Sequence, residues 1–179
     1  MVLLDRDGVL NEDRPDSVKT PDELVLLPGA AEAVARLNLA GTRVIVVTNQ
    51  SAVGRGHIDE AMLERIHDRL RAELAREGAH LDAILVAPDP PEEASERRKP
   101  GPGMLREALR RFRSEPGETP MIGDALRDLE AAAAAGCPRI LVRTGKGKAT
   151  QAAGLPAHVL PVAVHDDLRA AVSALLGDG

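Results

Sequence analysis

The stretch VLLDRDGV at residues 2–9 decides the fold. Three apolar residues, Val2, Leu3 and Leu4, run directly into Asp5, and Asp7 and Gly8 follow. A short aliphatic run that stops at a carboxylate reads as a buried strand whose end carries chemistry. The pattern recurs along the chain. RVIVV (43–47) ends at Thr48, Asn49 and Gln50; AILV (83–86) leads to a polar loop containing Arg98 and Lys99; Met121 and Ile122 precede Gly123 and Asp124; and RILV (139–142) follows. HVL (158–160) is expected as a sixth strand.

Between these runs, apolar residues recur at helical spacing. The candidates are 29–39 (Ala30, Val34, Leu37), 59–76 (Met62, Ile66, Leu70, Leu74, with Asp59 as N-cap), 102–112, 126–135 before Gly136, and 166–176. Strand–helix alternation predicts an α/β fold, a Rossmann-like, mainly parallel sheet with helices on both faces. Its length suits a single domain over residues 1–179. The proline-rich stretch PDPPEEASERRKP (88–100) and residues 145–156 are expected as loops.

Composition narrows the function. The chain has one Phe (Phe112), no Trp and no Tyr, so the core is built from Val, Leu, Ile and Ala, and base stacking on aromatic platforms is disfavoured. A net charge of -5 argues against nucleic-acid binding, which needs a basic patch. A single cysteine, Cys137, allows neither an internal disulfide nor a multi-cysteine zinc site, and reads as a small packing residue. His57, His67, His80, His158 and His165 form no metal-ligand pattern and read as surface or helix residues. No secretory signal and no membrane-length apolar run is seen, so a cytoplasmic protein with no membrane partner is expected.

Ligands of doubly wound sheets sit at the carboxyl ends of the strands, where the polar groups named above converge. Asp5 and Asp7, two residues apart, point the same way from an extended strand end; two close carboxylates repel unless a cation lies between them, and an all-oxygen set suits Mg²⁺. Asp124 and Asp128 offer further oxygens. The competing reading is a turn with solvated acids. With a cation present, Asp5 is the candidate nucleophile, forming an aspartyl-phosphate, and Asp7 the candidate acid and base. Thr48, Asn49 and Lys99 are candidates for the phosphate, against a strand-end cap and a solvated lysine. Gln50, Arg55 and Arg98 are candidates for the rest of the substrate, the arginines for a second anionic group, against ordinary surface arginine.

Together these residues resemble the haloacid dehalogenase (HAD) superfamily of phosphatases. Its four motifs occur in order: DRDGV (5–9), VTN (47–49), RKP (98–100) and GDALRD (123–128). LDRDGVLNED (4–13), TNQSAVGRG (48–56) and RKPGPGML (98–105) are most similar to the histidinol-phosphate and heptose-bisphosphate phosphatase branch. The resemblance implies a core without a large cap domain, Asp5 as nucleophile and Asp7 as general acid and base. It implies Thr48 and Lys99 on the transferring phosphate, and Mg²⁺ held by Asp5, Asp124 and the Asp7 carbonyl. Asn49, Arg55 and Arg98 would touch a small phosphorylated substrate. Two departures are visible: no Cys or His precedes RKP, so the branch's zinc loop is absent, and Ala125 stands where heptose enzymes tend to have Lys. The expectation is a sugar-phosphate phosphomonoesterase of carbohydrate metabolism, acting as a monomer, with a heptose bisphosphate as substrate. The alternatives are histidinol phosphate as substrate, or a non-catalytic phosphate-ligand-binding domain.

Overall fold

A computed structural model describes residues 1–177. Residues 178 and 179, which the one-domain expectation includes, lie outside the described residues. Six strands, β1 (Val2–Leu4), β2 (Val44–Asn49), β3 (Ala83–Ala87), β4 (Met121–Gly123), β5 (Arg139–Val142) and β6 (Val162–His165), form one sheet in the order β3-β2-β1-β4-β5-β6. Every pairing is parallel. The helices are α1 (Ala30–Leu39), α2 (Ser51–Gly54), α3 (Glu60–Ala75), α4 (Gly103–Phe112), α5 (Leu126–Ala135), α6 (Gly147–Ala152) and α7 (Leu168–Leu176).

The central strands are apolar throughout because both faces of the sheet are covered. Alternation sorts their side chains between two cores. Val2, Leu4, Val44, Val46 and Ile122 pack with α1, α3 and α7 residues such as Val34, Leu70 and Val172. Leu3, Ile45, Val47 and Met121 pack on the other face with Met104, Leu105, Ala131 and Ala132 of α4 and α5. Strand order runs outward in one direction through β2 and β3, and in the other through β4, β5 and β6. The chain direction therefore switches between β1 and β4, the pair whose carboxyl ends carry Asp5 and Asp124. A switch point opens a crevice at that end of a parallel sheet.

Two expectations change. The sixth strand is Val162–His165; residues 157–159 form a 3-10 turn between Pro156 and Pro161. Residues 147–152, read as loop, form α6, whose Thr150 hydroxyl donates to the Asp124 carbonyl (2.8 Å). The 88–100 stretch is the expected loop, with a 3-10 turn at Pro91–Glu93, and hydrogen bonds of its own residues tie it together. Asp89 accepts from the Ser95 N–H at 3.0 Å through its carboxylate, and from Arg98 Nη1 at 2.7 Å through its carbonyl; Arg97 Nη2 donates to the Val86 carbonyl at 3.0 Å. Among the described residues no helix is long and apolar enough to cross a membrane.

Leu70 of α3 is fully buried in the first core. Leu70→Ala should cost about 2–5 kcal/mol, read as a lower urea midpoint at unchanged m-value.

Candidate active site

Asp5 leaves β1 buried, and its carboxylate meets Lys99. The Lys99 Nζ lies 2.9 Å from Asp5 Oδ1 and 2.7 Å from Asp128 Oδ1, with all three side chains at 3% exposure or less. Burial alone would strip the Lys99 proton, but Asp128 and Asp5 outweigh it and hold the ammonium above its ordinary range. Asn49 sets the position of this lysine: its Nδ2 donates to the Lys99 carbonyl (2.9 Å) and its Oδ1 accepts from the Lys99 N–H (3.0 Å). The Asp5 Oδ1 also accepts from the Arg6 N–H at 2.7 Å.

Asp124 follows β4. Its Oδ2 accepts from the Lys146 N–H at 2.7 Å, while its Oδ1 is buried and has no hydrogen-bond partner. Gly145 and Gly8 permit this approach. A Cβ on either would strike Asp124 Oδ2, and the Thr144 hydroxyl ties the two loops by donating to the Gly8 carbonyl (2.7 Å). Oxygens of Asp5, Asp124 and Asp128 all lie within 4.8 Å of one another. Asp128 spends its oxygens within the protein: one pairs with Lys99, and Oδ2 accepts from the Ala125 N–H at 3.0 Å. Asp128 thus supports Lys99, and the uncommitted carboxylate oxygen belongs to Asp124.

A buried acceptor without a donor, beside two more carboxylates, is costly. Burial, with Asp128 and Asp5 adding repulsion, pushes the Asp124 carboxyl up to about 7. Burial likewise pushes Asp5 up to about 6, with Lys99 pulling the other way. An all-oxygen, anion-rich set of this kind suits Mg²⁺, and the residues fit it.

The Asp7 side chain faces the same cavity as Asp5 and is ion-paired with Arg6. Arg6 is fully buried and grips Asp7 from Nη2 (2.8 Å to Oδ1, 3.1 Å to Oδ2) and Nε (3.2 Å to Oδ1). Asn11 Nδ2 donates to Oδ1 at 2.9 Å and Gln50 Nε2 to Oδ2 at 2.8 Å. Burial would raise the Asp7 carboxyl; Arg6, Asn11 and Gln50 overcome it and hold it below the ordinary range.

The cavity at this sheet end, about 160 Å³, is walled by Asp5, Asp7, Asn49, Gln50, Arg98 and Arg127 among others. Thr48, like Lys99 and Asp124, is buried and not exposed at its wall, and its hydroxyl accepts from Gln50 Nε2 (2.9 Å). Arg55 does not reach it. It lines a neighbouring depression, about 45% exposed and 3.3 Å from Glu92. The cavity instead takes Arg127, Lys146, Asp13 and Arg14, which sequence reasoning passed over. Arg127 was signalled only by its place beside Asp128 in GDALRD. Burial would lower its charge, yet Asp128, Asp5, Asp124 and Asp13 hold it above the ordinary range, and its Nε makes no hydrogen bond. Lys146 bridges to Asp13 at 2.9 Å. The arrangement is a buried carboxylate beside a buried ammonium, a second carboxylate at the wall, an oxygen set that fits a cation, and guanidinium groups around the mouth. It can hold and transfer a phosphoryl group.

A family profile described as HAD-hydrolase-like matches residues 96–171. The D-glycero-beta-D-manno-heptose-1,7-bisphosphate 7-phosphatase of Bordetella bronchiseptica is 45% identical over 177 residues, covering 98% of this chain and 97% of its own. The chain belongs to the HAD-like hydrolases. The Pseudomonas aeruginosa enzyme of the same name is 44% identical, covering 98% of this chain and 97% of its own. Among solved structures, the D,D-heptose 1,7-bisphosphate phosphatase of B. bronchiseptica, complexed with magnesium and phosphate, superposes with a TM-score of 0.94 at 45% identity, covering 99% of this chain and 98% of that one. Its Burkholderia thailandensis counterpart gives 0.76 at 45% identity over 98% and 97%. As a HAD-like phosphatase, the protein has the parallel Rossmann-like fold that its sequence predicts.

The raised carboxyls have a measurable consequence. Asp5 and Asp124 keep their protons to higher pH in the folded protein than in the unfolded chain. Between about pH 4 and about 7 the folded state therefore binds more protons, and its stability falls as pH rises. Asp7, held low, and Lys99, held high, titrate outside that window; His67, pushed down to about 3, opposes the trend below about 6.5, but one ring is outweighed by two raised carboxyls. In chelator, the thermal midpoint should drop between about pH 5 and about pH 7.5, and Mg²⁺ should raise it more at the higher pH. A chelated midpoint that climbs across this window contradicts the assignment.

Proposed function

We propose that the protein is a Mg²⁺-dependent phosphatase acting on D-glycero-β-D-manno-heptose 1,7-bisphosphate at the 7-phosphate, with the whole chain, 1–179, serving as one catalytic domain. The observation that carries the chemistry is the buried Lys99 held between Asp5 and Asp128, beside the unpartnered Asp124 oxygen. The substrate follows from the relatives, whose likeness spans nearly the full chain. It agrees with the guanidinium groups of Arg14, Arg98 and Arg127 at the cavity wall, since a bisphosphate brings a second dianion.

Asp5 attacks the phosphorus of the 7-phosphate, forming an aspartyl-phosphate as the P–O bond to the sugar breaks. Asp7, ionised in the free site, takes up a proton when the anionic substrate binds beside it and gives that proton to the departing sugar oxygen. Asp7 then takes a proton from water, whose oxygen attacks the phosphorus and breaks the bond to Asp5, releasing inorganic phosphate and returning both side chains to their states before the attack. Lys99 keeps Asp5 ionised and faces the charge that develops on the phosphoryl oxygens. Asp5, Asp124 and the Asp7 carbonyl would hold Mg²⁺, which when bound neutralises phosphoryl charge. Three buried carboxylates face two fixed cations, Lys99 and Arg127, so these residues by themselves carry excess negative charge toward an incoming phosphate. Asn49 serves by holding Lys99, and Gln50 by holding Asp7.

Phosphate release should be measured with the heptose 1,7-bisphosphate, its 1-phosphate, other sugar phosphates and histidinol phosphate, with Mg²⁺ and with chelator. The bisphosphate should be preferred, its 1-phosphate should remain, and Asp5→Asn should abolish turnover. Arg98→Ala should weaken binding of the bisphosphate by about 1.5–3 kcal/mol and that of a monophosphate less. Preference for histidinol phosphate would overturn the substrate, and release surviving in Asp5→Asn would overturn the nucleophile.

A further inference from the structure

Arg6 and His67 are both buried, one charged and one titratable, and neither has a part in phosphoryl transfer as derived above. His67 sits on the apolar stripe of α3 with Leu63, Ile66, Leu70 and Leu74, where a polar ring needs a reason. Its ring is neutral: burial, with Arg6 and Arg71 adding positive charge nearby, pushes it down to about 3. The Nε2 lies 3.3 Å from Arg6 Nη1. A guanidinium only donates, so Nε2 is the acceptor and Nδ1 carries the hydrogen, with Glu64 Oε2 at 4.0 Å. The far side of the same guanidinium holds Asp7 through Nε and Nη2. A planar fork pinned at both ends has no freedom to rotate.

We infer that His67, acting through Arg6, is the positioning residue that fixes the Asp7 carboxyl for proton transfer to the leaving group. This rests on the role proposed above for Asp7. Oδ1 of Asp7 takes Asn11 and two contacts from Arg6, whereas Oδ2 takes Gln50 and the longer Arg6 contact. Oδ2 is therefore the less committed oxygen and the one that exchanges the proton. Without an acceptor at residue 67, Arg6 Nη1 is left buried and unsatisfied, and the guanidinium turns to find a partner, carrying the carboxylate with it.

The leaving group separates this role from general damage. A sugar alkoxide needs a proton as it departs, while p-nitrophenolate is a stable anion and leaves without one. The kinetic parameter kcat/KM reports only steps up to formation of the aspartyl-phosphate, so the later water step does not blur the comparison. For His67→Leu, kcat/KM on the sugar phosphate should fall at least about tenfold, and on p-nitrophenyl phosphate by less than about threefold. His67→Gln, whose side-chain carbonyl can accept from Arg6, should recover most of the loss on the sugar phosphate. Arg6→Lys, which keeps the charge but loses the fork, should show the same selective loss and serves if His67→Leu does not fold. Equal losses on both substrates, or failure of Gln to recover activity, overturn the inference. Loss of Asp5 dependence in the wild type would instead overturn the mechanism on which it rests.

Discussion

Lys99 lies between Asp5 and Asp128 in a space closed to water, and its ammonium joins three separate parts of the chain: the end of β1, the loop before α4, and the first turn of α5. Removing one partner of such a buried set leaves an uncompensated charge, so each member constrains the other two. Asn49 extends the constraint to β2 through its paired hydrogen bonds with the Lys99 backbone. The ends of β1 and β2, the α4 loop and α5 are thus assembled around one cation before any ligand arrives.

Around that centre the protein keeps its acids in opposite states. Asp5 and Asp124 are both raised by burial, with Asp128 adding repulsion to each, so they accept a divalent ion readily once deprotonated. Asp7 is held low by Arg6, Asn11 and Gln50. Two carboxyls two residues apart in sequence are separated chemically by what lies behind each, an ammonium for one and a guanidinium for the other. The loops over this floor are brought close by glycine at Gly8 and Gly145, where a side chain would collide with Asp124.

Much of this could be read from the sequence. Apolar runs ending in polar residues located β1, β2 and β4 and placed Asp5, Asp7, Asn49 and Asp124 at one sheet edge, because a parallel strand and its exit loop are local features. What escaped depended on distant chain closure. Arg6 drew no attention because alternation sends it away from its neighbours, yet the chain leaves extended geometry after Leu4 and the side chain folds back under Asp7. Arg127, Lys146 and Asp13 reach the cavity from a helix end and two loops that meet only in the folded protein. His67 was within reach, since its neighbours on α3 follow the buried stripe and a histidine there must be neutral or paired. The β6 misplacement came from reading HVL as β-rich while discounting Pro156 and Pro161, which confine it to a turn.

The central claim is that Asp5 carries the phosphoryl group. Quenching the enzyme during turnover with borohydride, which reduces an acyl phosphate to an alcohol, and mapping peptides by mass spectrometry tests it directly. The account predicts homoserine in place of Asp5, formed only when substrate and Mg²⁺ are both present. Reduction at another carboxylate, or none while phosphate is being released, would contradict it.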